Sequence, residues 1–305
     1  MTTTMIAPSE RDRRSRWIQE IGGLSNDFAT GAAWIEQSLS EELRREGTAP
    51  LLSHLRLCGA IPEVYAHDST QEKLYSKYTD VVIHQAYSTI GLTSSVLRER
   101  ADVADVECAC PDYSFVADAK AFRLSRTAKN QKDFKIQAMD NWKHGLPFAM
   151  VVCPVYQLPR RSSQIYQQAV ARSVCIFTYT HLAVLVRYAE IKGQERAMSI
   201  LHNVFKAVEA LNPSKEALSY WRSVNETILE ADLNISPLWR EEKVASVESV
   251  GIAKEEALTY LASERNRIML LSRDEAIQEV IQRSNLDNRI RAVQSVSDNG
   301  LMEIG

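Results

Sequence analysis

The sequence predicts an α/β (α+β) fold: a mixed β-sheet flanked by helices, with further helical regions at both ends. Three observations lead there. Apolar runs of period two interleave with 3.6-residue periodicity between residues 69 and 191. Glycine and proline together number only 20 of 305 residues, too few for a turn-rich all-β chain. Beyond about residue 195 the apolar spacing is helical throughout.

Taken in order, residues 1–16 carry four arginines in RDRRSR and read as a mobile basic tail with a weak pull on phosphate. Residues 17–58 show helical spacing, with Trp34, Ile35 and Leu39 among the apolar positions. A helix is expected over 69–90, because Leu74, Tyr78, Val81 and Val82 fall on one face. The period then changes to two: ADVECAC (104–110) and YSFVADAKAF (113–122) read as strands, with Pro111-Asp112 marking the turn. The basic segment that follows reads as one helix over 127–140. FAMVVCPVY (148–156) is a strand, SQIYQQAVA a helix, SVCIFTY a strand and HLAVLVRYAEI a helix. The remaining helices are punctuated by Asn212-Pro213-Ser214 and Ser236-Pro237. The organisation expected is therefore a tail (1–16), a core with N-terminal helices (17–194) and a helical scaffold or dimerisation region (195–305).

Composition narrows the function. Charged residues make up 25% and hydrophobic residues 45%, ordinary globular values that exclude wholesale disorder. A formal charge of −3 predicts no overall attraction to nucleic acid, so any such binding must come from a local patch. No apolar run is long enough to cross a membrane, and the N-terminus has no secretory h-region. Five cysteines without metal or redox spacing read as buried small hydrophobes in a reducing cytoplasm.

Residues 105–120 carry the chemistry. Residues i and i+2 of a strand share a face, so Asp118 and Lys120 point the same way. A four-residue hairpin loop from Cys110 to Tyr113 gives a register in which paired residue numbers sum to 223. Asp105 then lies directly opposite Asp118, with Cβ atoms about 4.5–5.5 Å apart. Opposed carboxylates repel, and a hard divalent cation such as Mg2+ relieves that repulsion while keeping waters and accepting phosphate. A lysine beside it can orient a water, so the set suits phosphodiester hydrolysis. The solvated-edge alternative is weakened by the apolar flanks Phe115, Val116, Ala117, Ala119, Ala121 and Phe122, since charge inside apolar surroundings must be paired or metal-bound. Asp112 belongs to the turn, and Glu107 shares a face with Asp105 as a candidate outer metal contact. Glu72 has two readings: the last residue of an S-x-x-E capping box begun by Ser69, or a helix carboxylate aimed at a second metal or the water.

A basic run follows. Lys120, Arg123, Arg126, Lys129, Lys132 and Lys135 recur every three residues, accompanied by one acid, Asp133. On a helix this step sweeps the charges over a broad surface. Asn130 and Gln131 lie among them and are suited to adenine edges, as arginine and lysine are to phosphates and guanine. The alternative is a solvated helix face; the position directly after the Asp/Lys pair favours contact with DNA.

STQEKLYSK, Asp80, Asp105-Val106 and above all VADAKAFRLSRTAKNQKDFK resemble the HindIII family of type II restriction endonucleases, within the PD-(D/E)xK nucleases. The resemblance covers roughly 130 residues, from LCGAIPE to HLAVLV. It implies a restriction-endonuclease-like core and a homodimeric, Mg2+-dependent enzyme in a bacterial cytoplasm, paired in its host with a protecting DNA methyltransferase. It also implies metal ligation by Asp105, Asp118 and the Ala119 carbonyl, with Lys120 on the water. Glu72 assists in this reading, and Ala104 replaces the proline of the motif. Double-stranded DNA containing AAGCTT is the substrate implied, read by Arg123, Arg126, Lys129, Asn130, Gln131 and Lys132. The rivals are a repair or structure-selective nuclease of the same core and a catalytically dead DNA-binding protein.

Overall fold

The computed structural model describes residues 4–25, 27–97, 103–126 and 131–295, without the side chains of residues 131 and 132. Three helices open the chain: α1 (Pro8–Gly23), α2 (Phe28–Glu46) and α3 (Ala49–Leu57). The long α4 (Thr70–Ile90) precedes three strands, β1 (Thr93–Val96), β2 (Val106–Ala109) and β3 (Ser114–Ala119). The short helices α5 (Gln131–Phe134) and α6 (Ile136–Trp142) lead to β4 (Phe148–Cys153). Then come α7 (Gln164–Ala171), β5 (Val174–Thr178) and α8 (Tyr179–Lys192). The rest is helical: α9 (Gln194–Glu209), α10 (Ala217–Leu229), α11 (Ile235–Met269), α12 (Arg273–Arg283) and α13 (Leu286–Gln294).

The five strands form one sheet in sequence order, antiparallel from β1 to β3 and parallel from β3 to β5. The expected mixed sheet flanked by helices is what the chain forms. Burial follows strand position. β2 alternates buried and open residues, as a strand covered mainly on one face should, whereas β3, β4 and β5 are buried almost throughout beneath their crossovers. The polar edge strand β1, TSSV, was not expected from the sequence.

Aromatic rings join the sheet to its helices. Phe115 of β3 lies 5.2 Å from Tyr87 of α4 and 4.9 Å from Phe205 of α9, and Phe205 stacks on Phe148 of β4 at 4.8 Å. Each such ring contributes about 1.5–3 kcal/mol by leaving water. Leu74, Tyr78, Val81 and Val82 are buried on α4, as their spacing requires. The helix is stopped by Gly91, whose φ of 112° is open to glycine and whose N–H closes on the Tyr87 and Ser88 carbonyls.

Two expectations change. The arginines of RDRRSR lie in α1, and each is engaged. Arg14 is buried, donating to the Leu57 and Ala60 carbonyls, Tyr75 Oη and Glu256, while Arg13 and Arg16 converge on buried Glu42 and Arg11 pairs with Glu255. The helix expected over 127–140 is broken at Lys135 in its described part; residues 127–130 lie outside the described residues. The chain divides into Met1–Ala257 and Leu258–Gly305, so the helical region beyond 195 belongs in larger part to the first unit. No helix among the described residues is long and apolar enough to cross a membrane. Cys58, Cys108, Cys153 and Cys175 are buried free thiols.

Candidate active site

The β2–β3 hairpin has the register its loop length dictates. Val106 pairs with Ala117, Glu107 with Val116, Cys108 with Phe115 and Ala109 with Ser114, and the Cys110 N–H closes the turn on the Tyr113 carbonyl. Continuing that register by one residue sets Asp105 against Asp118. The Asp105 carbonyl accepts the Leu97 N–H at 2.9 Å, which fixes the backbone entering β2.

Asp118 is fully buried at 0% exposure, and its carboxylate lies against Asp105 and the Lys120 ammonium. Its neighbours are charges. Lys120 Nζ presses against Oδ2, and Lys135 Nζ lies 3.9 Å from Oδ1. Lys120 is itself held: its N–H donates to Val152 at 2.7 Å, and its carbonyl accepts Tyr179 Oη at 3.0 Å. Two residues on, Phe122 bridges to Ala60 and its N–H donates to Gly59. A side chain at Gly59 would meet Pro154 Cβ at 2.6 Å, so this anchoring requires the close approach that only glycine permits.

A third carboxylate joins the pair. Asp80, buried on α4, has Lys77 Nζ 3.9 Å from its Oδ2. Burial pushes the Asp80 carboxyl up to about 8, Lys77 opposes the rise, and the charge of Asp118 adds to it. Burial likewise drives Asp105 far above the carboxylate range, reinforced by Asp80 and Asp118. Asp118 goes the other way: burial raises it, but Lys120, Asp105 and Lys135 together outweigh burial and hold it below the usual value. Burial would lower Lys120, yet Asp118, Asp105 and Asp80 hold its ammonium charged above the ordinary lysine range. Three acids and two lysines thus meet around β3, with the ionised carboxylate between the cations. Sequence spacing did not single out Asp80 for a role. The signal available was an acid within Thr79–Ile83, a stretch of α4 whose five residues are all buried.

Glu72 is not part of this cluster. Its Oε1 accepts Arg123 Nε at 2.9 Å, and its Oε2 accepts the Asp68 N–H at 2.6 Å. Ser69 Oγ caps α4 by accepting the Glu72 N–H at 3.1 Å, so half of the expected capping box forms. The same contacts engage Arg123, expected as a DNA contact, within the chain. Its side chain is only 13% exposed and is turned inward between Glu72 and Glu63, with Nη2 buried and unpartnered among the described residues. Arg126 pairs with Asp133 and stacks on the Phe122 ring at 5.2 Å, so it too is engaged within the chain. Lys129 and Asn130 fall outside the described residues, as do the side chains of Gln131 and Lys132. Glu107 and Asp112 are exposed, and Ala119 ends β3 between Asp118 and Lys120.

Three carboxylate or imidazole ligand atoms lying within 4.8 Å of one another occur, among the described residues, in His67, Asp68 and Glu72, of which the first two are exposed and Glu72 is half-buried. There Glu72 is already occupied by Arg123 and the Asp68 N–H. The buried aspartates are not gathered that closely, but Asp118 offers a carboxylate held ionised by two lysines beside Asp105. Hard oxygen donors of this kind suit a divalent cation.

Known proteins match the sequence over most of the chain. A family model for the HindIII restriction endonuclease matches residues 14–297, well beyond the span over which the motifs are legible by eye. The type II restriction enzyme HindIII of Haemophilus influenzae strain Rd is 30% identical over 247 residues, covering 79% of this chain and 81% of that protein. With the matched span running from α1 through α13, the chain belongs to the HindIII restriction endonuclease family.

Proposed function

We propose that this restriction endonuclease hydrolyses phosphodiester bonds of double-stranded DNA at AAGCTT with Mg2+, as a homodimer in the bacterial cytoplasm, beside a methyltransferase that protects the host's own sites. The observation carrying the chemistry is buried Asp118, ionised between Lys120 and Lys135, with Asp105 next in register across the hairpin.

In this reading Asp105, Asp118 and the Ala119 carbonyl hold the Mg2+. Asp80 stands behind them as a further acid, in place of Glu72. When bound, the cation supplies Lewis-acid polarisation of the phosphodiester and charge stabilisation of the leaving oxygen. Lys120 orients the attacking water: its ammonium is fixed by its own backbone contacts and by Asp118, so a water bonded to it is held toward the phosphorus. The water oxygen forms the new P–O bond, the bond to the leaving sugar oxygen breaks, and that oxygen takes up a proton. A two-fold dimer brings one such site to each strand of a palindrome.

Sequence readout rests in this proposal on Arg126, Lys129, Asn130, Gln131 and Lys132; Arg123 is enclosed by Glu72 and Glu63, whereas Arg126, paired with Asp133, stays 41% exposed. The experiment is digestion of plasmid DNA with and without Mg2+, followed by sequencing of fragment ends. Discrete Mg2+-dependent fragments ending at AAGCTT are expected. Fragments at another sequence would discard the readout and keep the enzyme. Cutting governed by branched structure, or binding without hydrolysis, would replace the reading by one of its rivals.

A further inference from the structure

Lys135 stands at the break between α5 and α6. Its backbone lies in the left-handed region, with φ 47° and ψ 31°, which a side chain other than glycine or asparagine seldom adopts. No glycine or proline forces the break: the local sequence is Asp133-Phe134-Lys135-Ile136, with Phe134 and Ile136 both buried. Strained backbone of this kind persists where packing over-determines it, and it gathers at functional sites. Here it redirects one side chain. A helical residue 135 would carry its side chain along the barrel of a continuous helix; the left-handed turn places Lys135 Nζ 3.9 Å from Asp118 Oδ1.

The ammonium also sits over the Trp142 ring, 5.1 Å from its centroid. Its side chain is nevertheless 47% exposed, against 11% for Lys120. Lys120 is enclosed and committed to Asp118. Lys77 lies by Asp80 and donates to the Leu97 carbonyl. Lys135 touches the same carboxylate as Lys120 yet remains open to solvent, the direction from which a duplex must arrive. A phosphodiester entering a site with three aspartates meets like charge, and hydrolysis gathers more negative charge on the phosphoryl oxygens as the water attacks. A cation reaching from the rim answers the second demand, and a divalent ion taking Asp118 would displace the lysine from Oδ1 toward the substrate.

We propose that Lys135 is a second lysine of the active site, whose ammonium moves from Asp118 to an oxygen of the scissile phosphate and stabilises the charge developing there. This rests on the nuclease reading above and adds a residue to it.

The test compares Lys135→Ala, Lys135→Gly and Lys135→Arg with wild type in single-turnover cleavage of an AAGCTT duplex with Mg2+, and in binding of the same duplex with Ca2+ in place of Mg2+. Glycine suits the left-handed backbone, so that variant removes the charge while favouring the local fold. Removing one charge-stabilising donor should slow cleavage of saturating DNA about 100-fold. Binding should change less than about threefold, and arginine should restore most of the rate. Cleavage by Lys135→Gly at the wild-type rate would overturn the proposal. So would a loss confined to binding, or one that arginine does not relieve. Wild-type protein serves as the control: if it fails to cut AAGCTT, the underlying reading has failed; if it cuts and the variants cut equally well, only the role of Lys135 has.

Discussion

Arg123 Nε donates to Glu72 Oε1 at 2.9 Å, tying the segment after β3 to the first turn of α4. Two residues with separate roles suggested by sequence are thus each other's partner. Glu63 completes the clamp, accepting both the Ser125 N–H and Ser125 Oγ. The basic segment therefore leaves the active site along a fixed path.

That clamp predicts unlike effects for its members and for the cluster. Glu72→Gln should retain cleavage within about threefold and lose about 1 kcal/mol of stability, the scale of one weakened charge-assisted bond. Arg123→Ala leaves two carboxylates without their cation and should cost about 2 kcal/mol. Urea denaturation alongside steady-state cleavage checks both. A complete loss of activity in stably folded Glu72→Gln would return Glu72 to the catalytic set.

Asp118→Asn and Lys120→Ala should each lower cleavage by more than about 1000-fold, because residues acting as one unit fail together. Asp118→Asn also leaves the enclosed Lys120 ammonium without its counter-charge, so the metal-free variant should melt below wild type. Thermal melts with and without Ca2+ test this directly: the wild type should gain stability from the ion and the variant should not.

Asp80 gives the metal dependence a pH signature. With its carboxyl raised to about 8, it holds a proton at neutral pH that a bound cation must expel. Asp105, raised by burial as well, must also give up a proton, so affinity for Ca2+ should rise with pH through about 8, with proton release on binding. Asp80→Asn should make that rise less steep. Calorimetry in two buffers of different ionisation enthalpy measures the released protons, and equal heats in both would count against it.

His181 sets a separate window. Burial holds its imidazole down at about 4, and the ring lies between Thr178 Oγ1 and Asn225 Oδ1. A depressed histidine is neutral in the fold and protonates first in the unfolded chain. Its stabilisation is complete above about pH 6.5 and is lost as pH falls from there toward 4, by about 3 kcal/mol in all. Denaturation midpoints in that interval should drop steeply for wild type and less steeply for His181→Gln.

The hairpin was legible because a four-residue loop leaves one register, and that register sets Asp105 against Asp118. Asp80 was not, because a helix buried beyond a single stripe hides which of its polar residues face a site. Arg123, Arg126 and the arginines of α1 share another difficulty. Spacing shows a run of cations but not the acids that neutralise them, and Glu42, Glu72 and Glu256 come from other parts of the chain. The turn at Lys135 carries no glycine or proline signal, and β1 is a polar edge with little apolar patterning to betray it.

The burial of Arg14 reaches beyond packing. Among the described residues its guanidinium finds an acid only in Glu256, 242 residues later. During synthesis that arginine leaves the ribosome long before this acid exists, whereas its other partners, Leu57, Ala60 and Tyr75, follow within 61 residues. An enzyme of this family is hazardous to unprotected DNA. Shortened chains that already contain Asp105, Asp118 and Lys120 would still lack Glu256 and would leave the buried Arg14 guanidinium without that counter-charge.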